Sequence, residues 1–228
     1  MTFLPAPPNH GIKFQRIDLE GMPTVDADCD LVVDVSRGTT LEQNGARVYT
    51  VEHVLAALVG MEIDNVLIQL DGPEPPIMDG SSIQFIEVLE DAGLEEQNAL
   101  RRFFEVQESI QYKDSSREVE MVALPTDNYR VTVMVDYNSP VLGSQHASIT
   151  DIGQFKTEIA SCRTFCFLHE LEMLYNSNLI KGGDLNNAIV VVDRVVEEKE
   201  LAHLAKMFNK QRVEVRKEGI LNNVDLRY

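Results

Sequence analysis

Thr50-Val51-Glu52-His53-Val54-Leu55-Ala56-Ala57-Leu58-Val59-Gly60 reads as a short helix that is apolar nearly all round after His53. Thr50 is suited to cap its N-terminus and Gly60 to stop it. A helix without a polar face belongs in an interior, so other elements must cover it, and the flanking sequence supplies β-structure on both sides. Upstream, residues 12–18 and 25–35 read as strands with Asp-rich turns between them. Residues 37–50 contain Asn44-Gly45, a strong hairpin-turn signal, inside a small β-insertion spanning about 36–50. Downstream, 64–71 is a strand rich in Val, Ile and Leu, and Gly72-Pro73-Glu74-Pro75-Pro76 is a rigid turn. A second helix over about 82–92 carries Ile83, Phe85, Ile86 and Leu89 and stops at Gly93.

The charged stretch 94–102 is the best linker, and beyond it the plan repeats. Strands fit 103–111, 118–124 and 129–136, and helices fit 151–161 and 167–177. A buried strand fits 187–193, a charged helix 195–208 and a last strand 220–228. Two β-rich halves, each carrying buried helices, give an α+β class with two layers of sheet around helices. The division expected is a domain over 1–98 and a second over 99–228, the latter with an inserted segment at about 178–193 and incomplete at its C-terminus.

Composition narrows the functions. A chain of 228 residues, 44% hydrophobic and 25% charged, buries a real core. Its net charge of −17 comes without any Lys/Arg cluster, which argues against nucleic acid and anionic membrane as partners. A phosphate-bearing substrate would need a local cationic pocket working against the global field, with Arg163 and Lys181 the candidates. The three cysteines, Cys29, Cys162 and Cys166, have no paired spacing, and the N-terminus lacks the parts of a signal peptide. Both features point to a reducing cytoplasm. No apolar run reaches the roughly 18 residues that span a bilayer. Cys162 and Cys166 sit four apart, one helical turn, and read as buried small apolar residues.

Four constellations carry chemical potential. Glu52-His53 opens the buried helix, where the positive helix end suits a neutral, metal-ligating imidazole and an ionised carboxylate. Neighbouring helical residues diverge by about 100°, so one can bind a metal while the other reaches a metal-bound water, the pairing that zinc hydrolysis needs. An isolated Glu-His pair also reads as a capping and surface feature. Pro76-Ile77-Met78-Asp79-Gly80-Ser81-Ser82 reads as a tight turn in which Gly80 takes a conformation other residues avoid and Ser81 or Ser82 caps the next helix; it shapes a site rather than reacts. Cys162-Arg163-Thr164-Phe165-Cys166-Phe167 sets a hydroxyl beside an Arg, suited to an oxyanion, or is an ordinary strand-to-helix junction. Lys181-Gly182-Gly183-Asp184-Leu185-Asn186-Asn187 allows close backbone approach but matches no phosphate-loop pattern. Among the other histidines, His169 has Glu172 three residues on, a ligand-capable spacing or a solvated helix face, and His146 follows a Gly143-Ser144-Gln145 turn where it can line a pocket.

Thr50-Val51-Glu52-His53-Val54-Leu55-Ala56-Ala57-Leu58, Ile63-Asp64-Asn65-Val66, Gly72-Pro73-Glu74-Pro75-Pro76-Ile77-Met78-Asp79-Gly80-Ser81, Arg163-Thr164-Phe165 and Gly182-Gly183-Asp184-Leu185-Asn186-Asn187-Ala188 together resemble the UDP-3-O-acyl-N-acetylglucosamine deacetylases of lipid A biosynthesis. The motifs recur in order along nearly the whole chain. The stretches 37–47 and 219–224 resemble one branch, typical of Bacteroidota, in which the deacetylase is fused to a 3-hydroxyacyl-carrier-protein dehydratase. The resemblance implies two similar domains with β-sheets outside and helices sandwiched between them. It implies a Zn²⁺ enzyme whose substrate is a UDP-linked acylated amino sugar. Carried over by residue, Glu52 matches the general base, His53 a zinc ligand and Thr164 the residue that helps stabilise the tetrahedral oxyanion. Phe165 and Ile180, Lys181, Gly182 and Gly183 match positions near the substrate and its acyl passage. The family's other zinc ligands form a His-x-x-x-Asp pattern, and none of the five histidines here has Asp four residues on. Those ligands are expected beyond Tyr228, and an edge strand before Met1. The alternative from a different class is a non-catalytic fold-mate kept as a binding or regulatory module.

Overall fold

The computed structural model describes residues 1–36, 38–176, 187–215 and 219–221. The fold is α+β. Its first half contains β1 (Thr2–Pro5), β2 (Ile12–Arg16), β3 (Thr24–Asp26), β4 (Val32–Asp34), β5 (Thr40–Gln43), β6 (Ala46–Val48), α1 (Glu52–Gly60), β7 (Val66–Leu70) and α2 (Ile83–Ala92). The main sheet runs β1-β7-β2-β3, with β7 parallel to β2 and antiparallel to β1. Alternation sets its inner face: Val66, Ile68 and Leu70 are buried while Leu67 and Gln69 are half-buried. Phe14 on β2 faces the same core, as do Val54, Ala57 and Leu58 of α1 and Phe85, Ile86 and Leu89 of α2. Arg16 is buried at the end of β2. Its guanidinium donates to the Asp18 carboxylate at 2.7–2.8 Å and to the Arg47 carbonyl at 2.6 Å, tying the main sheet to the small sheet β4-β5-β6.

The small sheet confirms the hairpin at Asn44-Gly45, where both residues adopt positive φ, 54° and 75°, as a two-residue primed turn requires. The expected strand at 25–35 is broken by a single 3-10 turn at Cys29–Leu31, so that its second part, β4, pairs with β5 rather than with the main sheet. The Pro-rich lead-in holds a strand that the sequence did not signal, β1, which supplies an edge to β7.

The second half contains β8 (Ile110–Asp114), β9 (Val119–Ala123), β10 (Val131–Asp136), β11 (Ser144–Ile149), β12 (Phe165–Phe167), α3 (Leu168–Asn176), β13 (Ile189–Val191), α4 (Glu198–Met207) and β14 (Ile220–Leu221). β8 and β9 form one hairpin and β10 and β11 another, and β13 lies between β12, parallel, and β14, antiparallel. Residues 103–109 are not strand, and β11 replaces what read as a turn. The stretch 94–102 has no regular structure but is tied to the first half. Arg101 pairs with Glu62 and Asp64 at 2.8–2.9 Å, and Gln97 donates to the Ala6 carbonyl at 2.7 Å.

The helix expected at 151–161 is wound differently. A 3-10 turn at Ile152–Gln154, closed by an Asp151–Gln154 capping box, leads into a π-helical turn at Phe155–Ile159. Phe155 and Ala160 join the core around α1 and α2, and Lys156 pairs with Glu90 of α2. Gly60 therefore has a packing role: a Cβ there would lie 2.1 Å from the Phe155 ring. It is the last residue of α1, and Met61 is the C-cap. Cys162 and Cys166 do not share a helical turn. Cys162 precedes β12 and Cys166 lies within it, both half-buried. Only Ile220–Leu221 of the last expected strand falls in the described residues.

A second cluster gathers Leu168, Leu171, Val190, Leu204, Val213 and Leu221 under α4. At its rim Arg194 and Glu200 form a two-pronged pair, one prong at 2.9 Å. The hydrogen bond from Arg194 holds the Glu200 carboxyl below its ordinary range. A depressed carboxylate contributes stability above its unfolded value and loses it as pH falls through the folded one. Glu200→Gln is accordingly expected to lower stability by about 0.5 kcal/mol at neutral pH, given the pair's solvent screening. Paired thermal melts should show that difference vanishing once the wild-type carboxylate protonates.

Candidate active site

The entry to α1 is built by backbone constraints. The Tyr49 amide donates to the Pro73 carbonyl at 2.8 Å and the Val51 amide to the Thr39 carbonyl at 3.4 Å. These bonds fix the turn from β6 into α1, and Thr50 adopts φ +52° within it. Thr50 is therefore not the N-cap; Val51 is, and its side chain makes no capping bond. Glu52 and His53, the first two helical residues, are half-buried. The Glu52 carboxylate does not cap its own helix either. Its Oε2 accepts the Thr39 amide at 3.0 Å, and a Cβ on Gly38 would stand 3.4 Å from Oε1. The start of β5 thus holds the carboxylate at the helix mouth. Backbone donors leave no residue signature, so this contact has no sign in the sequence.

The turn after Pro76 abuts that helix. The Ser82 hydroxyl donates to the His53 carbonyl at 3.0 Å, and the Ser82 amide donates to the Ala160 carbonyl at 3.0 Å. Ser82 stands at the N-cap of α2 without making a side-chain cap bond, and Ser81 Oγ accepts the Ile83 amide at 3.3 Å. Asp79 accepts from the Ser81 amide and hydroxyl at 3.1 and 2.7 Å and pairs with Arg163 at 3.3 Å. Gly80 is buried with φ +83°. A Cβ on it would fall 1.8 Å from the Asn187 carbonyl oxygen and 3.5 Å from Thr164 Cγ2. The shape-giving role read for this turn, with a conformation suited to Gly80, matches this geometry.

Thr164 is joined to the same turn. Its amide donates to the Gly80 carbonyl at 3.0 Å and its carbonyl accepts the Ile189 amide at 3.0 Å, while the residue itself is exposed. Phe165 begins β12 and meets Tyr137 edge-on at 5.3 Å and Phe167 at 5.8 Å. The i, i+2 spacing of Phe165 and Phe167 on a strand signals a shared face; Tyr137, from the turn that joins β10 to β11, carries no such signal. Arg163, a candidate for anion binding, is engaged by Asp79. Ile180, Lys181, Gly182 and Gly183 lie outside the described residues.

His146 is exposed on β11 opposite Met134. His169, at the start of α3, stacks on Phe167 at 5.4 Å, and its Nδ1 lies 3.1 Å from Asp193 Oδ2. Its partner is therefore a carboxylate beyond β13. A catalytic zinc takes three protein ligands and a water. Among the described residues, the group of three His, Cys, Asp or Glu side chains close enough to share an ion is Asp28-Cys29-Asp30, which is exposed and does not include His53. Among the described residues, no such group includes His53.

Over residues 1–208 the chain matches a family model described as UDP-3-O-acyl N-acetylglycosamine deacetylase. A protein of Chlorobaculum tepidum named bifunctional enzyme LpxC/FabZ is 46% identical over 231 residues, covering 100% of this chain and 50% of that protein. The protein of the same name from Bacteroides thetaiotaomicron is 43% identical, covering 99% and 49%. The UDP-3-O-acyl-N-acetylglucosamine deacetylase of Myxococcus xanthus is 42% identical over 193 residues, covering 84% and 60%. The chain spans about half the length of the bifunctional relatives it matches.

Proposed function

Since this chain belongs to the UDP-3-O-acyl N-acetylglycosamine deacetylase family, we propose that the protein it represents hydrolyses the acetamide of UDP-3-O-(3-hydroxyacyl)-N-acetylglucosamine in lipid A biosynthesis. The observation that carries this reading is the placement of Glu52 and His53 together at the mouth of α1, hydrogen-bonded through Ser82 to the turn that holds Thr164. In the proposed reaction a water oxygen adds to the acetamide carbonyl carbon while Glu52 takes a proton from that water. The carbonyl oxygen becomes an oxyanion, which the Thr164 hydroxyl stabilises by donating a hydrogen bond. The C–N bond then breaks, acetate leaves, and the glucosamine nitrogen takes up a proton.

Zn²⁺ belongs to the proposal as a resident ion with His53 as one ligand, the remainder coming from outside the described residues. Phe165 and the segment 180–183 belong to it as substrate contacts. So do a two-domain layout divided near residue 98, with sheets outside and helices between, and a cytoplasmic location. Among the described residues no helix is long and apolar enough to cross a membrane. The printed name of the bifunctional relatives supports a second, dehydratase unit in the parent protein.

The experiment is an acetate-release assay of the parent protein with UDP-3-O-acyl-N-acetylglucosamine. Zinc-dependent release supports the reading. Binding of the UDP-sugar without turnover in a zinc-replete sample would favour a binding module instead.

A further inference from the structure

The turn at 78–82 makes separate hydrogen bonds to the two groups that the proposed reaction needs. On one side the Ser82 hydroxyl reaches the carbonyl of His53 at 3.0 Å. On the other the Gly80 carbonyl receives the amide of Thr164 at 3.0 Å. The turn has little freedom to adjust. Ser81 and Ser82 are buried, at 0% and 6% exposure. Asp79 is fixed from within by Ser81 and from without by Arg163. Gly80 is pressed against the Asn187 carbonyl with no room for a side chain, and Ser82 is anchored a second time through its amide to Ala160.

We propose that Ser82 is a positioning residue for the reaction. Its hydroxyl, acting through the His53 carbonyl, holds the first turn of α1 in register with the Gly80-bound Thr164, so that the proton acceptor and the oxyanion donor keep one separation. The proposal rests on the functional reading above and adds to it a residue that touches neither substrate nor metal. Ser82 does not cap α2, since its side chain makes no cap bond there; among the described residues its hydroxyl donates to the neighbouring helix.

The test compares Ser82→Ala and Ser82→Thr in the parent protein. Small displacements of a reacting group cost rate more than binding. Ser82→Ala is therefore expected to lower kcat about tenfold with KM within about twofold, and Ser82→Thr to restore kcat to within about twofold. Loss of the bond should also speed amide exchange at Thr164 by about tenfold, as a local opening, while the melting temperature stays near wild type. Unchanged kcat and unchanged exchange at Thr164 in Ser82→Ala would overturn the proposal. So would a loss of kcat that merely tracks the unfolded fraction. If Ser82→Thr does not fold, the exchange comparison on Ser82→Ala decides. A wild-type protein without deacetylase activity would count against the functional reading alone, and exchange at Thr164 would still decide the role of Ser82.

Discussion

Glu52→Gln in the parent protein is expected to lower acetate release by about 100- to 10,000-fold, the range a positioned general base contributes. The substitution is close to isosteric. A glutamine oxygen can still accept the Thr39 amide that now holds Oε2 at 3.0 Å, so the helix entry and the fold should persist. What is lost is the group that takes the water's proton. Melting temperature and metal content should therefore stay near wild type while kcat falls. A Gln variant within a few-fold of wild-type turnover, correctly folded, would remove Glu52 from the role given it here.

The second large effect falls on stability. Gly80→Ala places a methyl where 1.8 Å separates it from the Asn187 carbonyl oxygen, in a backbone with φ +83°. The left-handed conformation costs a non-glycine residue about 1–2 kcal/mol, and overpacking a filled site costs about 1–3 kcal/mol more. The sum, about 2–5 kcal/mol, is a large part of the stability of an ordinary domain. Gly45→Ala supplies the control. It shares the positive φ, at 75°, but a Cβ there meets nothing within 4 Å, so only the conformational cost of about 1–2 kcal/mol applies. Urea denaturation of both variants separates the two contributions. Equal losses would mean that the turn does not press on the chain at Asn187.

Much of this arrangement was legible in the residues, where a local rule and the tertiary structure agree. α1 is readable from its apolar run, though Val54, Ala57 and Leu58 are buried while Val59 stands exposed, and the Asn44-Gly45 hairpin because two consecutive left-handed residues strongly limit the choices. The reading failed where tertiary contacts overrode local preference. Thr50 is a good cap by type, yet the Tyr49–Pro73 bond leaves it at φ +52° and puts Val51 in the capping position. Ile152, Phe155 and Ile159 keep a helical spacing and do face the core, but the chain winds through 3-10 and π turns to seat Phe155 against Gly60. β11 is hard to read from its residues because Ser144-Gln145-His146-Ala147-Ser148-Ile149 holds a single β-branched apolar residue, Ile149, at its end. At the site, Glu52, His53 and Thr164 stood out by type and motif. The hydrogen bonds that hold Glu52 and Thr164, from the Thr39 amide and through the Gly80 carbonyl, come from the backbone and have no letter in the sequence.

The proposed function has the imidazole at 53 and the carboxylate beside it mark the place where a metal ion and a water meet. Its most direct test is the zinc content of the parent protein by mass spectrometry, for wild type and His53→Ala purified side by side. About one equivalent of zinc is expected in the wild type, as for a single catalytic site, with its loss from the folded variant. A His53→Ala protein that keeps its full complement of zinc would contradict it.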